Sequence, residues 1–109
     1  MSWAIEYLPE AEDDLASLDG SVQPRVAKAI QKLALNPLPD YEGGYGKPPG
    51  SKRSFNLTGL LKCKLRKDGI RIVYQVVQDE GAMRIVVIGA RADDEVYRLA
   101  TLRREKYGI

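Results

Sequence analysis

The stretch at residues 60–75, LLKCKLRKDGIRIVYQ, limits the possible folds more than any other in this chain. Lys62, Lys64 and Arg66 alternate with Leu61, Cys63 and Leu65, the period-two pattern of a strand with one buried face. Asp68-Gly69 follows with the chemistry of a two-residue hairpin turn, whose central positions both need positive φ. A turn of that length pairs Lys67 with Ile70 and sets Arg66 opposite Arg71. It also faces Lys64 to Val73 and Lys62 to Gln75. The cations then converge on one face. Like charges directly across a sheet are destabilising, so the pattern calls for a counter-charge, most simply an anion from outside the chain.

The flanking segments supply a sheet and helices around this hairpin. Trp3, Ile5 and Tyr7 share one face of a short strand, which Pro9 ends while opening a helix rich in acids at its first turn. Asp19-Gly20 stops that helix. Ser21 can cap a second one, with Pro24 in its first turn and Val22, Val26, Ile30, Leu33 and Leu35 as its apolar stripe. Asn36-Pro37 terminates it. Residues 37–56 hold four of the six prolines and four of the ten glycines, and with no periodicity they read as a loop or extended segment. Strands follow near 59–66, 70–77 and 82–90, the last apolar on both faces and therefore central. Asp93 or Asp94 opens a final helix with Val96, Leu99, Ala100 and Leu102 on its apolar side, and Gly108 closes it.

This order predicts a single α+β domain over residues 1–109. Its sheet is small, twisted and mostly antiparallel, made of the N-terminal strand plus a C-terminal three-strand meander. Two N-terminal helices pack on one face, and a C-terminal helix completes the fold. With helices on one side, the opposite face can display the cations.

Composition narrows the function classes. The chain of 109 residues is long enough for one core. Its net charge of +2 conceals an asymmetry: residues 1–20 carry six acids and no base, whereas residues 47–71 carry eight bases against Asp68. A solvated basic face is the ordinary explanation, and a footprint for phosphate is the alternative. With no histidine, proton transfer falls to Lys, Tyr, Asp, Glu or Arg, and a His/Cys metal site has no ligand set. The lone Cys63 reads as a core residue. No apolar run approaches the ~20 residues of a membrane span, and the acidic N-terminus lacks the features of a signal peptide. A cytoplasmic protein without membrane association is expected.

The segment from Lys62 to Val76, followed by Gly89-Ala90-Arg91 and Glu95-Val96-Tyr97, closely resembles the central hairpin and last strand of RelE toxins. These belong to the RelE/ParE superfamily of bacterial toxin–antitoxin systems. The resemblance implies an active site of Lys62, Lys64, Arg71, Arg91 and Tyr97, with Lys52, Arg53 and Arg66 contacting the RNA backbone. It implies a metal-independent endoribonuclease, without cofactor, that enters the A site of the 70S ribosome and cuts mRNA there. A RelB-like antitoxin is then the partner, in a hetero-oligomer. One departure is the Gly/Pro-rich stretch at 41–56, longer than in the shortest family members.

In that chemistry the ribose 2′-OH attacks the adjacent phosphate and the 5′-oxygen leaves, which requires a base, a stabiliser of the phosphorane and a proton donor. Lys64 and Tyr97 are both candidate bases, Arg71 and Arg91 suit bidentate phosphate binding, and the division between base and acid stays open. A ParE-like gyrase inhibitor is the alternative within the superfamily and has no need of these five side chains. A non-catalytic RNA-binding module is the alternative outside it.

Overall fold

Four strands form one sheet, in the spatial order β1-β4-β3-β2. In chain order the elements are β1 (Ala4–Tyr7), α1 (Pro9–Ala16), α2 (Gln23–Leu33), β2 (Leu60–Leu65), β3 (Ile70–Val77), β4 (Ala82–Gly89) and α3 (Asp93–Tyr107). The computed structural model describes residues 2–49, 55–90 and 92–109. The antiparallel meander and the N-terminal strand, which pairs parallel to β4, bear out the expected α+β architecture. β4 is central, and its apolar residues are buried on both sides. Among the described residues no helix is long and apolar enough to cross a membrane.

The register separates two faces. Leu61, Cys63, Ile72, Tyr74, Ile85 and Met83 lie on one, and Lys62, Lys64, Arg71, Val73 and Gln75 on the other. The chain between α2 and β2 sits over the apolar face, where the Tyr74 hydroxyl donates to the carbonyl of Pro37 at 2.7 Å. α3 crosses the other face, contacting β4 and β3, with its first residue Asp93 bonded to Lys64 and Arg71. Helices therefore occupy both faces, and α3 leaves only the β2 side of the cationic face open.

The hairpin differs from the two-residue turn. Leu65 pairs with Ile70, Lys64 with Arg71, Lys62 with Val73 and Leu60 with Gln75. Four residues, 66–69, form the loop, and of these Gly69 alone takes positive φ (67°). The Asp68 N–H bonds the Leu65 carbonyl at 3.1 Å, and the Asp68 carboxylate is claimed by Arg25 at 2.6 Å. A four-residue loop needs only one left-handed position, so Asp68 is spared the strained conformation. Arg66 is thus not opposite Arg71.

Two smaller expectations also change. Ser21 does not cap α2, because its backbone N–H and hydroxyl both bond the Asp19 carboxylate. On α3, Tyr97 is buried with Val96 and Ala100, while Leu102 stays 52% exposed.

β1 ends at Tyr7 opposite Ile85, so among the described residues no strand lies beside the outer edge of β4 beyond that point. A bulge at Val86, where the register with β3 shifts, adds to the problem. Side chains solve it. Asp14 of α1 accepts the Ile88 N–H at 3.0 Å, and Arg103 of α3 donates to the Val86 carbonyl at 3.0 Å. Asp14 and Arg103 also bond each other at 2.6 Å, with side chains only 19% and 12% exposed.

Removing one partner of such a pair leaves the other desolvated and unpaired. Asp14→Ala should therefore cost about 3 kcal/mol, since a strand N–H loses its acceptor as well. Asp14→Asn, which keeps an acceptor, should cost distinctly less. Urea unfolding midpoints measure both, and an Asp14→Ala variant as stable as the parent would refute this account.

Candidate active site

The cross-strand pairing of Lys64 with Arg71 puts two of the expected catalytic residues directly opposite each other. Lys62, two residues earlier on β2, shares their face. Both side chains of the pair are partly accessible, at 32% for Lys64 and 27% for Arg71. Arg66 stands in the exposed hairpin loop beside them. With Lys64 and Arg71 it lines an open cleft of about 340 Å³ at the hairpin tip. A larger cleft of about 460 Å³, near Leu57, Leu60 and Val76, contains none of these cations.

The counter-charge that the sequence pattern asked for is present within the chain. Asp93, at the start of α3, bonds the Arg71 guanidinium through Oδ1 and the Lys64 ammonium through Oδ2, the latter at 3.3 Å. Its partial burial alone would raise the carboxyl pKa, but hydrogen bonds from Arg71 and then Lys64 outweigh that and hold it below the usual carboxylate range. From the sequence, Asp93 reads only as a candidate opener of the last helix. The signal that could have located it is the corrected register, which places Lys64 and Arg71 side by side with no acid on either strand.

Tyr97 lies one helical turn after Asp93, so the two side chains share a face of α3, and Tyr97 is 1% exposed within the core. The helix thus delivers an anion to the cation pair and buries an aromatic ring behind it. Arg91, Lys52 and Arg53 lie outside the described residues. Cys63 is half-buried on the apolar face, and burial pushes its thiol pKa up despite the nearby Lys32 and Lys47. No group of three or more His, Cys, Asp or Glu that could hold a metal occurs among the described residues.

The arrangement can hold an anion between one guanidinium and one ammonium, as it already does with a carboxylate. Comparison with known proteins assigns it to a family. The model of the ParE toxin of type II toxin–antitoxin systems, parDE, matches residues 5–95. A RelE-like toxin protein of Escherichia coli is 30% identical over 107 residues, covering 94% of this chain and 98% of its own. The chain belongs to the RelE/ParE family of type II toxins. Within it the likeness is of RelE type: an mRNA interferase toxin RelE of Escherichia coli is 24% identical over 103 residues, covering 94% and 98% of the two chains.

Solved RelE structures share the fold. The free Escherichia coli RelE toxin, as a double arginine-to-alanine variant, superimposes with a TM-score of 0.71 at 22% identity, covering 94% of this chain and 98% of that one. RelE in the intact Escherichia coli RelBE toxin–antitoxin complex gives 0.64 at 19% identity, covering 84% and 99%.

The Asp93 contacts make a testable statement about this RelE-type toxin. A carboxyl whose pKa is depressed on folding stabilises fully above its unfolded value, about 3.9, and loses that contribution as pH falls through the lowered folded value. A carbon-13 NMR titration should find the Asp93 midpoint below about 3.9, rising toward that value in Arg71→Ala. Asp93→Asn should bind a non-cleavable RNA about tenfold more tightly, about 1.4 kcal/mol. An unshifted midpoint together with unchanged RNA affinity would show that Asp93 does not occupy the anion position.

Proposed function

We propose that this RelE-type toxin is an endoribonuclease that cleaves mRNA in the A site of the ribosome and so arrests translation. The observation that carries the reading is the Lys64–Arg71 cross-strand pair, with Lys62 on the same face, holding an anion in an accessible position. These are three of the five positions at which RelE resemblance places catalytic side chains. The mRNA interferase name of a relative points the same way.

In the proposed reaction the 2′-oxygen of the ribose forms a bond to the adjacent phosphorus and the bond to the 5′-oxygen breaks. The products are a 2′,3′-cyclic phosphate and a 5′-hydroxyl. One proton leaves the 2′-OH and one reaches the 5′-oxygen. Arg71, with Arg91 as the second arginine of the family pattern, binds the non-bridging oxygens as charge accumulates in the phosphorane. Lys62 adds positive charge from the same face. Lys64 and Tyr97 remain the two candidates for the base. Lys64 is reachable in this conformation, whereas the Tyr97 ring is buried. This scheme needs no metal, since Lys and Arg do the charge work.

A type II toxin acts against an antitoxin. Relatives of this fold are seen in complexes of RelE with RelB, and a RelB-like partner that covers the basic face would neutralise this chain too. The second reading, a ParE-like gyrase inhibitor, draws on the name of the matching family model. It requires no cation pair, and nothing in it explains why Lys62, Lys64 and Arg71 share one open face.

Primer extension on a defined mRNA, with and without programmed ribosomes, separates the two. Cuts within the A-site codon are expected only with ribosomes. Arg71→Ala should reduce the rate about 10²–10³-fold, the usual loss on removing one oxyanion stabiliser. A pH–rate profile that changes shape in Lys64→Ala but not in Tyr97→Phe would name Lys64 the base. Intact mRNA in every lane, from folded protein that still arrests growth and inhibits gyrase, would overturn the nuclease reading.

A further inference from the structure

The long Gly/Pro-rich segment carries structure that the cation pair does not use. From Asn36 to Lys47 the chain closes on itself: Tyr45 N–H bonds the Asn36 carbonyl at 3.0 Å, Gly46 N–H bonds Leu38 at 3.0 Å, and Gly44 N–H bonds Pro39 at 3.0 Å. Gly46 lies so close beneath Tyr74 that an added Cβ would sit 2.1 Å from the Tyr74 hydroxyl, so only glycine fits. Lys47 then pairs with Lys62 along the outer edge of β2, through backbone hydrogen bonds of 3.0 and 2.8 Å. The part of this loop or extended segment that ends at Lys47 is thus fastened to the strand that carries the cations.

The fastening creates a cleft of about 430 Å³ along that edge, within the size range of small-ligand sites. Tyr45 and Lys47 line it from the loop, Lys62, Lys64 and Arg66 from β2 and its turn, and Asp40 is the one acid among the described lining residues. Tyr45 is 48% exposed, and the ammonium of Lys32 lies over its ring, 5.5 Å from the centroid. An exposed aromatic ring among cations is the recurring equipment for single-stranded nucleic acid: bases stack on the ring while the cations follow the backbone. Lys64 belongs both to this cleft and to the pair with Arg71. Sharing Lys64 makes the pair and the cleft neighbours, so a strand with one phosphate on the pair would run on toward the cleft.

We propose that this cleft is a nucleotide subsite, in which Tyr45 stacks the unpaired base next to the scissile phosphate while Lys47 and Arg66 hold the adjoining backbone phosphate. The inference rests on the RNA-cleaving reading for the meaning of "scissile", but the cleft's affinity for single-stranded RNA is measurable without cleavage. Asp40 faces the same space and can accept a hydrogen bond from a base amino group. The subsite would make the nucleotide beside the cut matter to this toxin.

The test uses the intact toxin and a short 2′-O-methyl RNA carrying 2-aminopurine, whose fluorescence is quenched on stacking. Binding should quench it. Tyr45→Ala should abolish the quenching and weaken binding about tenfold, within the ~1–3 kcal/mol of a base–aromatic stack. Tyr45→Phe should restore both. Lys47→Ala should lower the dependence of log affinity on log salt by about one phosphate contact. Tyr41→Ala, at an exposed tyrosine of the same loop outside this cleft, should bind as the parent does. On programmed ribosomes Tyr45→Ala should raise KM more than it lowers kcat.

Parent-like RNA binding by both Tyr45→Ala and Lys47→Ala, while Arg71→Ala still abolishes cleavage, would overturn the subsite and leave the nuclease reading standing. Tyr45-dependent quenching by a protein that cleaves no mRNA would support the subsite and sink the nuclease reading. Loss of affinity for an acidic antitoxin peptide, with RNA binding unchanged, would assign the cleft to a protein partner and overturn the proposal.

Discussion

The Asp14–Arg103 pair is the contact on which the geometry of the site depends. β1 is only four residues long, so among the described residues half of the outer edge of β4 has no neighbouring strand. An unpaired, desolvated strand edge is costly. Closing it with one side chain from α1 and one from α3 ties the first helix, the central strand and the last helix at a single point. The last helix is fastened again at its end, where Lys106 and Tyr107 bond Glu10 at 2.9 and 2.8 Å and depress its pKa to about 2. α3 is therefore fixed in rotation and in position along the sheet. Its N-terminus lands on the cation pair, which is why Asp93 meets Lys64 and Arg71 while Tyr97 turns into the core. A helix shifted by one residue would present neither.

Much of this was legible in the sequence, for identifiable reasons. Period-two alternation over residues 60–77 located both hairpin strands within a residue of their observed bounds, because one face is buried and the other charged. The two-sided apolar run at 82–89 marked the central strand for a similar reason. What did not follow was the register. Asp68-Gly69 satisfies the rule for a two-residue turn, yet a four-residue loop satisfies Asp68 better through Arg25, on a distant helix that no local pattern reveals. That error exchanged Arg66 for Lys64 as the neighbour of Arg71. It also hid Asp93, since the acid that compensates the pair lies 22 residues beyond Arg71. The loop at 37–49 was opaque for a different reason. Its order comes from backbone hydrogen bonds and one tyrosine hydroxyl, and these leave no periodicity behind.

Asp93 raises the question of whether a resident anion would defeat a phosphate-binding site. Magnitudes decide it. The ion pairs to Lys64 and Arg71 join side chains that are roughly 30% exposed, and partly solvated pairs of this kind contribute no more than about 1 kcal/mol each. Displacing both therefore costs at most about 2 kcal/mol, a factor of no more than about 30 in affinity. In the proposed reading RNA brings a phosphate that takes over the same two donors and adds contacts along the strand, with further gain from counterion release. The penalty is small beside that, but in the absence of RNA the carboxylate keeps two like charges from facing each other unrelieved across β2 and β3. In this way the sheet can hold the cations where the proposed chemistry wants them and still be stable when empty.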